Sequence, residues 1–193
     1  MNKITELRGQ NCLKQVLSGN HEAFREFIEL YEKLVFSIAG KLVDNPDDLN
    51  DLCQDIFIKV YQSLNQFRNG CKISTWIGKI TYHFCLNYLR KKKNLTTDCM
   101  NEYMLNRQMS QLSPPDRLAE TGDISLRLKQ EINRLPVQFR VALTLYHLED
   151  LTYQEIAEIM ALPEGTVKSH LFRARQLLKK RLLEKYEQEE LIS

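Results

Sequence analysis

Apolar residues recur at helical spacing through the first half of the chain, and this pattern predicts three long helices there. The first follows Asn20, a good N-cap residue, and the second covers about residues 47–64 after the break at Asn45-Pro46. The third follows a turn that contains Gly70 and ends in a basic cluster. The apolar faces of the three helices comprise Phe24, Phe27, Ile28, Tyr31, Leu34, Val35, Ile38 and Leu42; Leu49, Leu52, Cys53, Ile56, Phe57, Val60 and Leu64; and Trp76, Ile77, Ile80, Phe84 and Leu89.

The helical period fades between residues 94 and 122, where Pro114-Pro115 excludes a regular helix, and two shorter helices are predicted beyond this stretch. Their apolar positions are Ile124, Leu128, Ile132 and Leu135, then Val137, Val141, Leu145 and Leu148. The sequence therefore predicts an all-α protein of two small helical domains joined by a flexible linker. We assign an N-terminal extension to residues 1–19, the first domain to 20–94, the linker to 95–122, the second domain to 123–186 and an acidic tail to 187–193.

Residues 151–182 have the pattern of a short helix, a tight turn and a basic second helix, the outline of a helix-turn-helix. Thr152 and Glu155 have the spacing of a capping box, and Pro163 suits the start of the second helix. The predicted inward face of that helix carries Val167, Leu171, Ala174 and Leu178, and the outward face carries Lys168, Ser169, Phe172, Arg173 and Gln176, flanked by His170 and Arg175. Lys and Arg bind guanine edges or phosphates and an aromatic ring can contact a thymine methyl, so this face fits a DNA major groove. The alternative is an amphipathic surface helix whose charges are only solvated.

Charges are segregated along the chain, although the net charge is only +2. Between Asp44 and Asp55 every charged residue is acidic, whereas between Arg68 and Lys93 every charged residue is basic. The acidic segment suits a basic partner and the basic segment suits nucleic acid. Acids in the first turns of a helix also stabilise its dipole without any partner, so this alternative stays open for the acidic segment.

Several functional classes are disfavoured by what the sequence lacks. The cysteines (Cys12, Cys53, Cys71, Cys85 and Cys99) are widely separated and none lies near a histidine at zinc-ligand spacing, so we expect reduced thiols, no metal and no cofactor. The motifs H-E-x-x-H, G-x-S-x-G, G-x-G-x-x-G and the Walker loop are absent, so we expect no catalytic residues and no enzyme. No stretch approaches the ~18 consecutive apolar residues of a membrane span, and the first residues lack an apolar signal core. We therefore expect a cytoplasmic protein without membrane insertion.

The C-terminal pattern resembles a known family. Leu135-Pro136, Arg140, the E-I-A triplet that begins at Glu155 and the segment GTVKSHLFRAR from Gly165 follow, in order and spacing, the DNA-binding domain of extracytoplasmic-function (ECF) sigma factors of bacterial RNA polymerase, in the sigma-70 family. The resemblance implies that the helix-turn-helix reads an upstream promoter element. Its predicted contact residues are Lys168, Ser169, His170, Phe172, Arg173 and Arg175.

The resemblance extends to the acidic segment. The family's D-L-x-Q-[DE]-x-F signature is matched by Asp51, Leu52, Gln54, Asp55 and Phe57. In the family this helix docks against the coiled coil of the largest polymerase subunit. The implied core polymerase contacts are Asp48, Asp51, Gln54 and Asp55.

The basic segment mixes cations with aromatic residues, the combination that single-strand capture requires. The family assigns this segment to recognition and opening of the downstream promoter element, with the turn before the helix holding a flipped base. The implied residues are Asn69, Lys72, Ser74, Trp76, Lys79, His83 and Asn87. Trp76 also continues the apolar stripe of its helix, so a core role is the alternative for that residue.

The implied partners are core RNA polymerase, through its largest-subunit coiled coil and its flap, promoter DNA and, as for many family members, an anti-sigma factor. A stand-alone helix-turn-helix regulator is the second hypothesis. It would account for the C-terminal half but would leave the acidic and basic segments of the N-terminal half unused.

Overall fold

The structure, a computed structural model, describes residues 3–94 and 124–190, and within these ranges every regular element is helical. The predicted all-α fold class is thus confirmed. The described helices are α1 (Lys3–Leu17), α2 (Ala23–Ala39), α3 (Pro46–Ser63) with a 3-10 turn at Leu64–Gln66, α4 (Ile73–Asn94), α5 (Ile124–Asn133), α6 (Val137–His147), α7 (Tyr153–Met160) and α8 (Glu164–Glu190). The last helix continues through Glu190 and so includes the first residues of the segment assigned to the acidic tail.

The N-terminal helices form where the sequence predicts them, but Asn20 is not the N-cap of α2. That helix begins at Ala23 after Glu22, and Asn20 Oδ1 accepts the N–H of Glu22 at 3.1 Å in the preceding turn. Asn45 is the N-cap of α3 and accepts hydrogen bonds from the N–H groups of Asp47 and Asp48, while Pro46 occupies the first turn, where its missing N–H is harmless. The centre of the bundle is the apolar stripe of α2 together with the inner faces of α3 and α4. Its fully buried large side chains are Phe27, Tyr31, Leu34, Ile38, Ile56, Ile73 and Ile77.

α1 is the element with the weakest sequence signal, yet it packs closely on α2. Cys12, Leu13 and Val16 are buried between them. Gly9 permits the approach, because a Cβ at this position would lie 2.0 Å from the hydroxyl oxygen of Tyr31. The N-terminal extension is therefore part of the first helical bundle.

The C-terminal helices form the predicted helix-turn-helix on a support of α5 and α6. The capping box is present: Thr152 Oγ1 accepts the N–H of Glu155, and the Glu155 carboxylate accepts the N–H of Thr152 at 2.8 Å. α7 ends at Ala161, which takes the left-handed conformation with φ 52°. On α8 the predicted inward residues Val167, Leu171 and Ala174 are fully buried, and Leu178 is partly buried.

The two halves of the chain share one packed core, which the sequence did not predict. α7 crosses α4 at Gly78, where an added Cβ would lie 2.8 Å from Ile159 Cδ1. At one side of this crossing, Lys72 Nζ lies 2.7 Å from Glu155 Oε1. Glu155 therefore caps the start of α7 and also forms an ion pair across the contact between the two halves.

Two predictions, the flexible linker and the state of Cys99, lie outside the described residues. Cys12, Cys53 and Cys85 are buried free thiols, and Cys71 is a partly buried one, as predicted. Within the part of the chain that the structure describes, no helix is long and apolar enough to cross a bilayer.

Candidate functional site

The outward face of α8, here called the recognition face, consists of exposed side chains above the buried face of the same helix. Lys168, Ser169, Phe172, Arg173 and Gln176 are all exposed, and Phe172 leaves 63% of its surface in solvent. A phenylalanine this exposed on a well-packed helix is unfavourable unless a partner covers it. The side chains predicted to face outward on α8 are therefore exposed to solvent.

Contacts within the protein restrain part of the recognition face. Lys168 Nζ lies 2.7 Å from Glu164 Oε1, one turn earlier, and 5.4 Å from the centre of the Tyr153 ring. Ser169 Oγ donates a hydrogen bond to the Gly165 carbonyl oxygen at 2.9 Å. Exposed ion pairs are weak and exchange readily, so the pair with Glu164 does not prevent Lys168 from contacting a phosphate or a base.

The two flanking residues differ in their surroundings. Arg175 is exposed, lies over the Tyr146 ring at 5.4 Å and places Nη2 3.2 Å from His147 Nε2. His170 is half-buried with its ring centre 5.1 Å from that of Phe139. Burial, and secondarily the charge of Arg173, lowers the pKa of His170. At neutral pH its imidazole is uncharged, so it packs against the supporting helix α6 and supplies no positive charge to the face.

The acidic face of α3 consists of Asp51, Gln54 and Asp55, which are all exposed on one side of the helix. Leu52 and Phe57 are buried on the opposite side. Carboxylates that are exposed in this way cost little to maintain and can meet a cationic partner directly.

Asp48, predicted with the acidic face, has partners within the protein. Its Oδ2 accepts a hydrogen bond from the Tyr88 hydroxyl at 2.7 Å and lies 2.7 Å from Lys92 Nζ. These contacts, with Lys92 the larger influence, hold the pKa of Asp48 below its usual value. Asp48 thus joins α3 to the end of α4, and any contact with a partner would compete with this pairing.

A groove between α2 and α3 lies beside the acidic face and was not identified from the sequence. It has a volume of about 920 Å³, and Gln54 belongs to both the groove and the acidic face. Phe36, Ile58 and Tyr61 line it and remain exposed, with Ile58 55% accessible. The available signal was that Phe36 and Ile58 are large apolar residues outside the buried stripes of their helices.

Most of the predicted downstream-element residues share one side of α4. Lys72 and the helix residues Trp76, Lys79, His83 and Asn87 follow at spacings of four, three, four and four. Lys79 and Asn87 are exposed, whereas Trp76 and His83 are partly buried. Burial, followed by the charges of Lys79 and Arg90, lowers the pKa of His83.

The remaining residues of this segment are placed differently. Asn69 is exposed in the turn before α4 with φ 54°, a left-handed conformation that few residues other than glycine and asparagine adopt easily. Ser74 is completely buried, and its hydroxyl donates to Glu6 of α1 at 3.4 Å. The Trp76 ring centre lies 5.3 Å from that of Phe67, so the two ends of the turn are in contact. Ser74 therefore faces α1, away from the surface that the other residues form.

Among residues 3–94 and 124–190, no three His, Cys, Asp or Glu side chains are grouped so as to hold a metal ion.

Sequence comparisons agree with the two helical regions. Residues 27–95 match the family described as Sigma-70 region 2, and residues 125–178 match the family described as Sigma-70, region 4. The ECF RNA polymerase sigma factor SigW of Bacillus subtilis (strain 168) is 29% identical over 190 residues, covering 92% of this chain and 98% of the relative. The ECF RNA polymerase sigma-E factor of Escherichia coli (strain K12) is 31% identical over 179 residues, covering 90% of this chain and 93% of the relative.

Solved structures show the same fold. CnrH in complex with the cytosolic domain of CnrY is similar with a TM-score of 0.64 and 18% identity, covering 91% of this chain and 97% of that one. The sigma factor RpoE in complex with the anti-sigma factor NepR from Bartonella quintana has a TM-score of 0.62 and 23% identity, covering 82% of this chain and 96% of that one. With its region 2 and region 4 matches and its full-length relatives, the chain belongs to the sigma-70 family as an ECF sigma factor of RNA polymerase.

Proposed function

We propose that this sigma factor reads the upstream promoter element with the recognition face of α8. The observation that carries the proposal is the exposure of Phe172 between Lys168 and Arg173 on a helix whose other face is buried. In a major groove, Lys168 and Arg173 would donate to guanine edges and Phe172 would contact a thymine methyl. Arg175, on the flank, would bind a phosphate and contribute to all sequences alike.

The opened downstream element would be engaged by α4 and the turn before it. Support comes from the side of α4 that carries Lys79, Asn87 and the partly buried Trp76 and His83. Cations along such a surface would follow the phosphates of a single strand, and an aromatic ring at its base would stack on an unpaired base. Lys72 would join this surface after release from Glu155.

Core polymerase would dock on the acidic face and the adjacent groove. Asp51 and Asp55 offer exposed negative charge, and Ile58 offers exposed apolar surface one turn away. A basic amphipathic helix of the polymerase would satisfy both, because its cations would select and orient the contact while its apolar side covers the groove. The anti-sigma factor bound to a structural relative suggests that such a regulator is a further partner for this chain.

A reconstitution with purified core polymerase tests this assignment of surfaces against the second hypothesis of a stand-alone regulator. We expect the full chain to elute with core polymerase and to start transcription from a promoter that core polymerase alone does not use. A protein that instead formed a homodimer on palindromic duplex DNA and ignored polymerase would show that the acidic face has another purpose.

A further inference from the structure

The first turn of α4 lacks a local capping residue. Its backbone N–H groups have no partner within the helix, as at every helix N-terminus. The residue before the helix is Lys72, whose ammonium group can donate hydrogen bonds but cannot accept one. The start of α4 follows the left-handed Asn69 and is buried at Ile73. Its backbone N–H groups therefore need a hydrogen-bond acceptor from elsewhere in the protein.

Glu6 of α1 supplies that acceptor from a distant part of the chain. One carboxylate oxygen accepts the backbone N–H of Ile73 in a short hydrogen bond, and the other accepts the hydroxyl of the buried Ser74 at 3.4 Å. A carboxylate in this position also stabilises the positive end of the α4 dipole. α1 thus caps the helix that carries the proposed downstream-element surface.

Independent contacts hold α1 in place, so Glu6 is delivered from a fixed support. The Arg8 guanidinium lies 2.6 Å from the Glu26 carboxylate of α2. The close approach of Gly9 to Tyr31 and the buried Cys12 fix the rest of the helix. Loss of the Glu6 carboxylate would therefore remove the cap while α1 stays on α2.

We propose that Glu6 is a positioning residue for promoter opening. By capping α4 at Ile73, it fixes the C-terminal end of the turn at residues 67–72, while the contact between Phe67 and Trp76 fixes the other end. The turn then has the conformation that receives an unpaired base before DNA binds. The conformational entropy of ordering the turn is therefore lost during folding and not during base capture. This inference rests on the proposed function of α4 and its turn.

The experiment measures opening of a duplex promoter by assembled holoenzyme, using full-length variants and a fluorescent base analogue in the downstream element. The first-order opening rate at saturating holoenzyme is the readout, because a loss of folding stability alone lowers the amount of active holoenzyme and leaves this rate constant unchanged. We expect Glu6→Ala to open about five- to tenfold more slowly, the factor that corresponds to the usual loss on removing a helix cap. Affinity for core polymerase and for the upstream element should stay at the wild-type value.

Two further variants make the result specific. Glu6→Gln keeps an oxygen that can accept the Ile73 N–H and should recover most of the opening rate. Lys14→Ala removes an exposed side chain from α1, the helix that also carries Glu6, and should open at the wild-type rate. Wild-type opening by Glu6→Ala, or equal slowing by Lys14→Ala, would overturn the role of Glu6. If wild-type holoenzyme itself gave no signal from the downstream element, the proposed function would fail and this inference with it.

Discussion

Arg173 provides the most direct test of base reading at the level of a single residue. Its side chain is exposed on the recognition face, and a guanidinium can bind a guanine edge through two hydrogen bonds. We expect Arg173→Ala to weaken holoenzyme binding to the upstream element by about 1–3 kcal/mol and to relax the preference at one base pair. Fluorescence anisotropy with a promoter and its single-base variants measures both effects.

The matched control is Arg175→Ala, which removes the same charge from the flank of the same helix. Its loss should weaken binding to all duplexes by a similar factor, because a phosphate contact carries no sequence information. If Arg173→Ala kept the native affinity and sequence preference, base reading would have to be assigned to other residues of α8.

His170 makes a pH-dependent contribution to stability. Its pKa in the folded protein lies below the ordinary value of 6.5, first because of burial and then because of Arg173. The unfolded chain therefore binds a proton more readily, so folding stability falls as the pH drops through about 6.5. We expect the urea midpoint of His170→Gln to fall less than that of the wild type between about pH 7.5 and 5.5. Parallel curves for the two proteins would show that the histidine titrates as freely in the fold as in the unfolded chain.

At the scale of one element, α3 presents the surface that separates a sigma factor from a free DNA-binding protein. We expect Asp51→Lys with Asp55→Lys to abolish binding to core polymerase, since reversed charges would face a basic partner. Both residues are exposed, so the unfolding free energy should change by less than about 1 kcal/mol. Analytical gel filtration with core polymerase, together with urea unfolding, measures the two quantities.

Glu184→Lys is the control for this element, because it reverses an exposed carboxylate near the end of α8, on a different helix. It should leave polymerase binding unchanged. A separate variant, Ile58→Ser, should weaken binding without a change in charge if the groove is part of the same contact. Native affinity in the doubly reversed protein would place the docking surface outside α3.

Local signals predicted the elements because their determinants lie within a few residues of each other. The N-cap of α3 and the capping box of α7 involve groups two or three positions apart, and the buried positions of α2 and α8 follow the helical period. The Glu6 cap joins residues 67 positions apart, and the Gly78–Ile159 contact joins the two halves. Periodicity shows which face of a helix is buried, but it does not show which distant helix covers that face. The same limit applies to Asp48 and Ser74, whose chemistry suggested surface roles and whose partners are Lys92 and Glu6.

For the whole molecule, the ion pair between Lys72 and Glu155 tests how the two halves are held together. Glu155 is largely buried, and although burial works against ionisation, hydrogen bonds from Lys72 and Thr152 hold its pKa below the usual value.

Glu155→Gln keeps an oxygen for the capping box and removes the charge that pairs with Lys72. Because Lys72 is more than half exposed, we expect a double-mutant cycle with Lys72→Ala to give a coupling of about 0.2–1 kcal/mol, which decreases in high salt. Urea unfolding of the four proteins at low and high salt measures the coupling. A coupling of zero at low salt would mean that apolar contacts, such as that of Gly78 with Ile159, hold α7 on α4 without help from the ion pair. Lys72 would then be available to DNA without the loss of a stabilising pair.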